Sequence, residues 1–175
     1  MVTRRQSREW ALQMLVQFDI NPPESTDAAA AAFWEQVAML ERDEIAEGVR
    51  DAKAVLTSDD PRVIEELPAA REFAETRAKG VWRDREEIDR RIGELLERWP
   101  LYRLGSVERA ALRLGAWELE NCRDIPAPIV INEAVDLAKW FSETRSGRFV
   151  NGVLDRYAKR LAERRREEEC GGFTP

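Results

Sequence analysis

The sequence predicts an all-α protein, and two observations support that prediction. Apolar residues recur every three to four positions in several separate segments, which is the spacing of one face of a helix. No run of alternating apolar and polar residues, no internal repeat and no glycine-rich phosphate loop interrupts this pattern. With 175 residues, the chain is long enough to form one or two domains with a sizeable core.

The composition disfavours several classes of protein. Histidine is absent, which removes the commonest general base and the commonest metal ligand, so hydrolytic triads and zinc hydrolases are disfavoured. The cysteines, Cys122 and Cys170, are far apart and outside any paired motif, which is typical of a reducing compartment. The uncharged runs are far shorter than the roughly 18 to 20 residues that span a bilayer. We therefore expect a cytoplasmic protein without a metal, a cofactor or a membrane partner.

The net charge of −6 is distributed unevenly along the chain. The segment from Glu24 to Glu75 has 14 acidic and 5 basic residues, a net charge of −9, so the remainder of the chain is net +3. Because the acidity belongs to one segment, the total charge does not argue against nucleic-acid binding elsewhere. The segment itself is typical of a solvated acidic face.

The N-terminus combines a basic start with an amphipathic helix that we expect to end near residues 21–23. Arg4, Arg5 and Arg8 occur before or within its beginning, and their guanidinium groups could be offered to phosphates. The alternative is a solvated terminus, which composition alone favours. The apolar face of the helix consists of Trp10, Ala11, Met14, Leu15 and Phe18.

Two segments in the middle of the chain also show helical spacing, Glu44–Leu56 and Arg62–Trp99. In the second segment, Asp84 followed by Glu87 is a capping arrangement. That arrangement predicts a break or kink near Arg83.

The segment 124–157 predicts two helices joined by a short polar turn. The first is apolar over most of its circumference and is therefore expected to be central. Ser146 can cap the second helix, which presents an apolar face from Phe149 to Leu161. The residues that define the first helix are Ile129, Val130, Ile131, Ala134, Leu137, Ala138, Trp140 and Phe141.

Two carboxylates, Glu118 and Glu133, fall on apolar stripes, where an ionised group is costly unless it is paired. Two inward carboxylates could indicate acid–base chemistry. Structural bonds to helix ends or arginines are the favoured alternative, because no nucleophile, metal-ligand set or phosphate loop accompanies them. We therefore predict no catalytic residue.

Several segments together resemble the NusB family of bacterial transcription antitermination factors. They cover most of Arg4–Phe18 and Phe73–Ala158, whereas the acidic segment at about 24–67 matches poorly and is expanded. In chain order they are RRQSREWALQML, EEIDRRI, RLGSVERAALRLGAWEL, IPAPIVINEAVDLAKWF and SGRFVNGVLD.

The resemblance implies a compact bundle of two packed helical subbundles forming a single domain over residues 1–169, with a flexible tail at 170–175. It also implies binding without catalysis. Proteins of this family pair with NusE, a protein of the small ribosomal subunit, and hold the boxA element of nascent RNA. The complex modifies RNA polymerase, notably on ribosomal RNA operons, so that it reads through terminators.

The resemblance also implies functional positions. It reverses the interpretation of the basic start in favour of RNA binding, and it places an aromatic residue beside basic groups, which suits single-stranded RNA. Ordinary core packing of Phe149 is the alternative. The implied RNA-binding residues are Arg4, Arg5, Arg8, Gln13, Arg148 and Phe149.

Three further positions correspond to the partner surface of the family. Glu108 matches a position at the NusE contact, Val16 replaces a frequent tyrosine, and Arg145 replaces an acidic residue of a close relative. These departures and the acidic segment keep open a protein-interaction bundle without RNA binding. An RNA-recognition module that assists a ribosomal RNA methyltransferase is the other alternative, since some of these enzymes have a domain that resembles the family. Formation of a homodimer in the absence of NusE also stays open.

Overall fold

A computed structural model describes residues 2–39, 54–96, 100–141 and 145–171 of the chain. Within these ranges the regular structure is helical and no strand occurs, so the all-α prediction is confirmed. A short 3₁₀ turn, Leu101–Arg103, precedes the fourth helix. The helices are α1 Arg4–Ile20, α2 Thr26–Met39, α3 Pro61–Gly93, α4 Ser106–Asn121, α5 Ala127–Phe141 and α6 Arg145–Gly171.

Three parts of the sequence predictions lie at or beyond these limits. Most of the predicted helix Glu44–Leu56 lies outside the described residues, and only 54–56 are seen as helical. The predicted turn at 142–144 and the side chain of Arg145 lie outside them too.

None of the described helices is long and apolar enough to cross a membrane.

The chain divides into two compact units, Met1–Arg83 and Asp84–Pro175, and α3 contributes residues to both. The predicted break near Arg83 is wrong, because α3 is helical without interruption from Pro61 to Gly93, and the alternative of a kink there stays a prediction. The carboxylates of the presumed cap have side-chain partners instead. Asp84 accepts a hydrogen bond from Trp117 Nε1 at 3.1 Å, and Glu87 pairs with two arginines one turn further along α3.

In the first unit, α1 begins with a capping box and buries one face. Thr3 accepts a hydrogen bond from the backbone N–H of Gln6, and the Gln6 side chain accepts one from the backbone N–H of Thr3. The apolar face of α1 is buried as predicted. Trp10 meets Trp34 of α2 edge-on, with ring centroids 5.3 Å apart, so aromatic packing joins these two helices.

In the second unit, α4 is buried on all sides from Ala110 to Leu119. Gly115 allows α6 to approach closely, since a Cβ at this position would lie 2.6 Å from Leu154 Cδ1. Glu118 is buried as well and has an interaction partner, as its position on an apolar stripe required. This helix is therefore the centre of the second core.

Helix α5 packs against α4 and α6 through the predicted residues Val130, Ala134 and Leu137. The predicted buried face of this helix was too wide, because Ile129 and Trp140 are 50% and 55% exposed. Single apolar side chains are common on protein surfaces, so helical periodicity alone does not set the width of the buried face.

Polar contacts tie the far part of α6 to α4. The Tyr157 hydroxyl donates to Glu120 Oε1, which also accepts from Arg91 Nη1 at 2.5 Å. Burial and the bond to Glu120 raise the pKa of Tyr157 above its usual value. Arg165 donates to the carbonyls of Leu119 and Glu120 at 3.1 and 2.9 Å, which satisfies the end of α4. The basic block of the tail thus has a structural contact and is not only solvated.

Candidate nucleic-acid interface

The basic residues at the N-terminus form the first two turns of α1, because the capping box begins the helix at Arg4. Their exposure differs sharply. Arg4 is exposed, Arg5 is half-buried and pairs with Glu9 at 3.3 Å, and Arg8 is only 4% exposed. Helical phase therefore divides the three predicted arginines between the surface and the interior.

Phe73 of α3 gathers three guanidinium groups within the first unit. The Cζ atoms of Arg4 and Arg8 lie 6.0 and 5.5 Å from the centroid of its ring, and that of Arg77 lies 3.2 Å away. Arg77 also donates a hydrogen bond to the Phe73 carbonyl at 3.3 Å. Guanidinium groups are attracted to the negative face of an aromatic ring, so Phe73 holds the basic start of α1 in place.

Sequence reasoning did not assign Phe73 or Arg77 to this site. One local signal was available, since Arg77 follows Phe73 by four residues and therefore lies on the same face of α3. The approach of Arg4 and Arg8 to this ring joins residues about 70 positions apart, and no local pattern encodes it.

Gln13 lies one and a half turns beyond Arg8 on the same helix. Its side-chain nitrogen and oxygen are both buried and have no hydrogen-bond partner within the described part of the chain. A buried amide without partners costs free energy, and such a group in a folded protein calls for an explanation.

The second set of predicted RNA residues lies at the start of α6. Arg148 is exposed and Phe149 is half-buried, so the Phe149 ring is neither fully in the core nor fully on the surface. The structure places Ser146 inside the first turn of α6 and not before it. Its hydroxyl donates to Glu108 Oε1 at 2.6 Å instead of capping the helix.

The residues predicted for partner binding are divided in the same way. Val16 is half-buried on α1 in the first unit. Glu108 is half-buried in the first turn of α4, where Ser146 brings it beside the start of α6 in the second unit. Each unit thus has one set of predicted RNA residues and at least one predicted partner residue.

The described residues contain no group of three or more histidine, cysteine or acidic side chains that could hold a metal ion. The starts of α1 and α6 each offer an exposed arginine, which suits the neutralisation of phosphates, and the half-buried Phe149 follows the arginine of α6. Together with the all-helical fold, these features favour the nucleic-acid-binding class of protein.

Comparison with known proteins agrees with this class. The model of the NusB family matches residues 5–159. The transcription antitermination protein NusB of Symbiobacterium thermophilum is 37% identical over 155 residues, which cover 87% of each chain. The chain belongs to the NusB family, so the resemblance seen in the sequence is confirmed. Proteins of this family are non-catalytic transcription antitermination factors.

Two solved structures are similar throughout most of the fold. T. maritima NusB is 32% identical, with a TM-score of 0.63, over 90% of this chain and 92% of that one. A NusB chain from a crystal structure of the antitermination factors NusB and NusE in complex with double-stranded RNA is 28% identical. Its TM-score is 0.64, with 89% of this chain and 96% of that chain covered.

Proposed function

We propose that this protein is a cytoplasmic transcription antitermination factor that binds boxA RNA together with NusE and supports transcription of ribosomal RNA operons. The strongest support for this proposal comes from one solved structure. A similar chain has been crystallised with both NusE and RNA, and the similarity to it covers 89% of this chain. In this role the chain acts through binding, within the complex that modifies RNA polymerase.

The proposed RNA contacts lie at the surface of two helix starts, α1 in the first unit and α6 in the second. Arg4, Arg5 and Arg148 have exposed or half-exposed side chains and would neutralise phosphates. Phe149 is half-buried, and a base would stack on the part of its ring that reaches the surface. Gln13 stays a proposed RNA contact, but both polar atoms of its amide are buried in this conformation, so a base would reach them only after the covering side chains move. Residues 1–169 would then act as one RNA-binding domain.

Arg8 has a different part in this proposal. Its guanidinium group is buried over the Phe73 ring, so it supports the exposed arginines of α1 and does not meet phosphate in this conformation.

The number of phosphate contacts explains why a partner is needed. Three arginines on single-stranded RNA give a salt slope of roughly −2, which lowers the affinity about twentyfold between 50 and 200 mM salt. A site of this kind binds weakly by itself. NusE would supply further contacts, and the residues proposed to meet it are Val16 in the first unit and Glu108 and Arg145 in the second.

Fluorescence anisotropy with labelled boxA RNA tests the proposal. The chain should bind weakly alone and more tightly with saturating NusE, and a scrambled RNA of equal length should show little gain. Negligible binding of both RNAs, with and without NusE, would reject the proposal. Binding of NusE without any RNA binding would identify the chain as a protein-interaction module instead.

A further inference from the structure

One hydrogen bond joins the first turns of α4 and α6 across 38 residues of sequence. Ser146 Oγ donates to Glu108 Oε1 at 2.6 Å, and both side chains are half-buried. The distance is that of a strong hydrogen bond to an ionised acceptor. Glu108 is the residue proposed to meet NusE, and Ser146 lies two residues before Arg148 in the proposed RNA site.

The Glu108 carboxylate is also held from its own helix. Gly105 is the N-cap of α4, and a Cβ at this position would overlap Glu108 Oε2. The carboxylate therefore lies against the N-terminus of α4, where the helix dipole favours a negative charge. Oε2 therefore lies beside Gly105, and Oε1 accepts the hydrogen bond from Ser146.

The first turn of α6 also contacts α5. A Cβ at Gly147 would lie 2.7 Å from both Cγ and Cε of Lys139, so the aliphatic part of Lys139 lies directly over Gly147. The turn that carries Arg148 and Phe149 is thus in contact with both Glu108 and Lys139, and the Ser146 bond links it directly to Glu108.

We propose that Ser146 is a positioning residue that couples NusE binding at Glu108 to RNA binding at Arg148 and Phe149. The inference rests on the proposed function. NusE that contacts Glu108 favours the carboxylate position in which Oε1 accepts from Ser146, and it thereby favours the arrangement of the first turn of α6 that presents Arg148 and Phe149. RNA binds the same arrangement, so NusE raises the RNA affinity through its preference for that arrangement. Because coupling is reciprocal, RNA strengthens NusE binding by the same factor.

The test is a binding cycle at 25 °C with boxA RNA, measured by anisotropy with and without saturating NusE. The coupling factor is the ratio of the two RNA affinities. Ser146→Ala removes the bond and should lower that factor by about three- to tenfold, since a hydrogen bond to a charged group is lost. Ser146→Thr retains a hydroxyl and should keep most of the coupling.

Ser106→Ala provides the matched control, because it removes a hydroxyl from the first turn of α4 without touching the bond to Glu108. It should leave the coupling factor within twofold of the unmodified chain. Circular dichroism establishes that all variants are folded, and a uniform loss of stability does not change a ratio of affinities between folded states.

The outcomes separate this inference from the proposed function. If the unmodified chain binds RNA more tightly with NusE and Ser146→Ala keeps the same coupling factor, the role of Ser146 is rejected and the proposed function stands. Equal loss of coupling in Ser146→Ala and Ser106→Ala would reject it too. If the unmodified chain binds no RNA in either condition, the proposed function and the inference are both overturned.

Discussion

The starts of α1 and α6 both have residues predicted to bind RNA, and they are held by different means. The start of α1 is fixed by its own capping box and by Phe73, over which Arg8 is buried. The start of α6 is held by side chains of two neighbouring helices, Glu108 and Lys139. In α1, the position of an arginine around the helix decides whether it lies on the surface, as Arg4 does, or packs in the interior, as Arg8 does.

The largest expected effect on the free energy of unfolding is that of replacing Arg8. Arg8→Ala should reduce the free energy of unfolding by about 2–4 kcal/mol, because it removes a buried side chain together with its packing and cation–π contact with Phe73. Arg4→Ala, in the preceding turn of α1, should change it by no more than about 0.5 kcal/mol, since Arg4 is exposed. Urea denaturation followed by circular dichroism measures both values.

An equal stability for the two variants would show that burial does not distinguish these arginines. The sequence alone suggested one basic segment whose arginines had the same role. In the structure the Arg8 side chain is 4% exposed and packed over Phe73, so we expect its replacement to affect folding, while its role in RNA binding stays a prediction.

A smaller effect is expected where α6 is tied to α4. Tyr157→Phe removes the hydrogen bond to Glu120 and should reduce the free energy of unfolding by about 1–2 kcal/mol at pH 7. The raised pKa of Tyr157 means that the folded state favours the protonated phenol. Its contribution is complete below the unfolded value of about 10 and is lost as the pH rises above it.

Urea denaturation at pH 7, 9 and 11 measures that dependence. The unmodified chain should lose more stability between pH 9 and 11 than Tyr157→Phe does, so the difference between the two should shrink. A difference that stays constant over this range would contradict the assignment of the alkaline loss to Tyr157.

Local patterns predicted most of the helices and their buried faces. The apolar spacing of α1, together with the prolines after it, indicated both its core residues and its end, and the structure agrees with both. The false break near Arg83 shows the limit of such patterns. An aspartate followed three residues later by a glutamate is compatible with a cap, but Trp117, 33 residues from Asp84, provides its actual partner.

The contacts within the candidate site were less predictable from the sequence, because they also join residues that are far apart in the chain. The sequence indicates which residue types could meet RNA, and the exposed positions of Arg4 and Arg148 fit that expectation. It does not indicate that Phe73 gathers three guanidinium groups or that Ser146 bonds to Glu108, because both arrangements depend on packing between distant helices. The roles of these residues in RNA binding stay predictions.

The most direct measurement of the central claim is the salt dependence of boxA RNA affinity in the presence of NusE, from 50 to 200 mM salt. Arg4→Ala should reduce the slope by about 0.7, a loss of roughly two- to threefold in the ratio of affinities over that range. Arg8→Met, which retains apolar bulk over Phe73, should leave the slope unchanged in protein verified as folded. Equal flattening by both variants, or none by Arg4→Ala, would contradict the claim that exposed arginines of α1 contact the RNA.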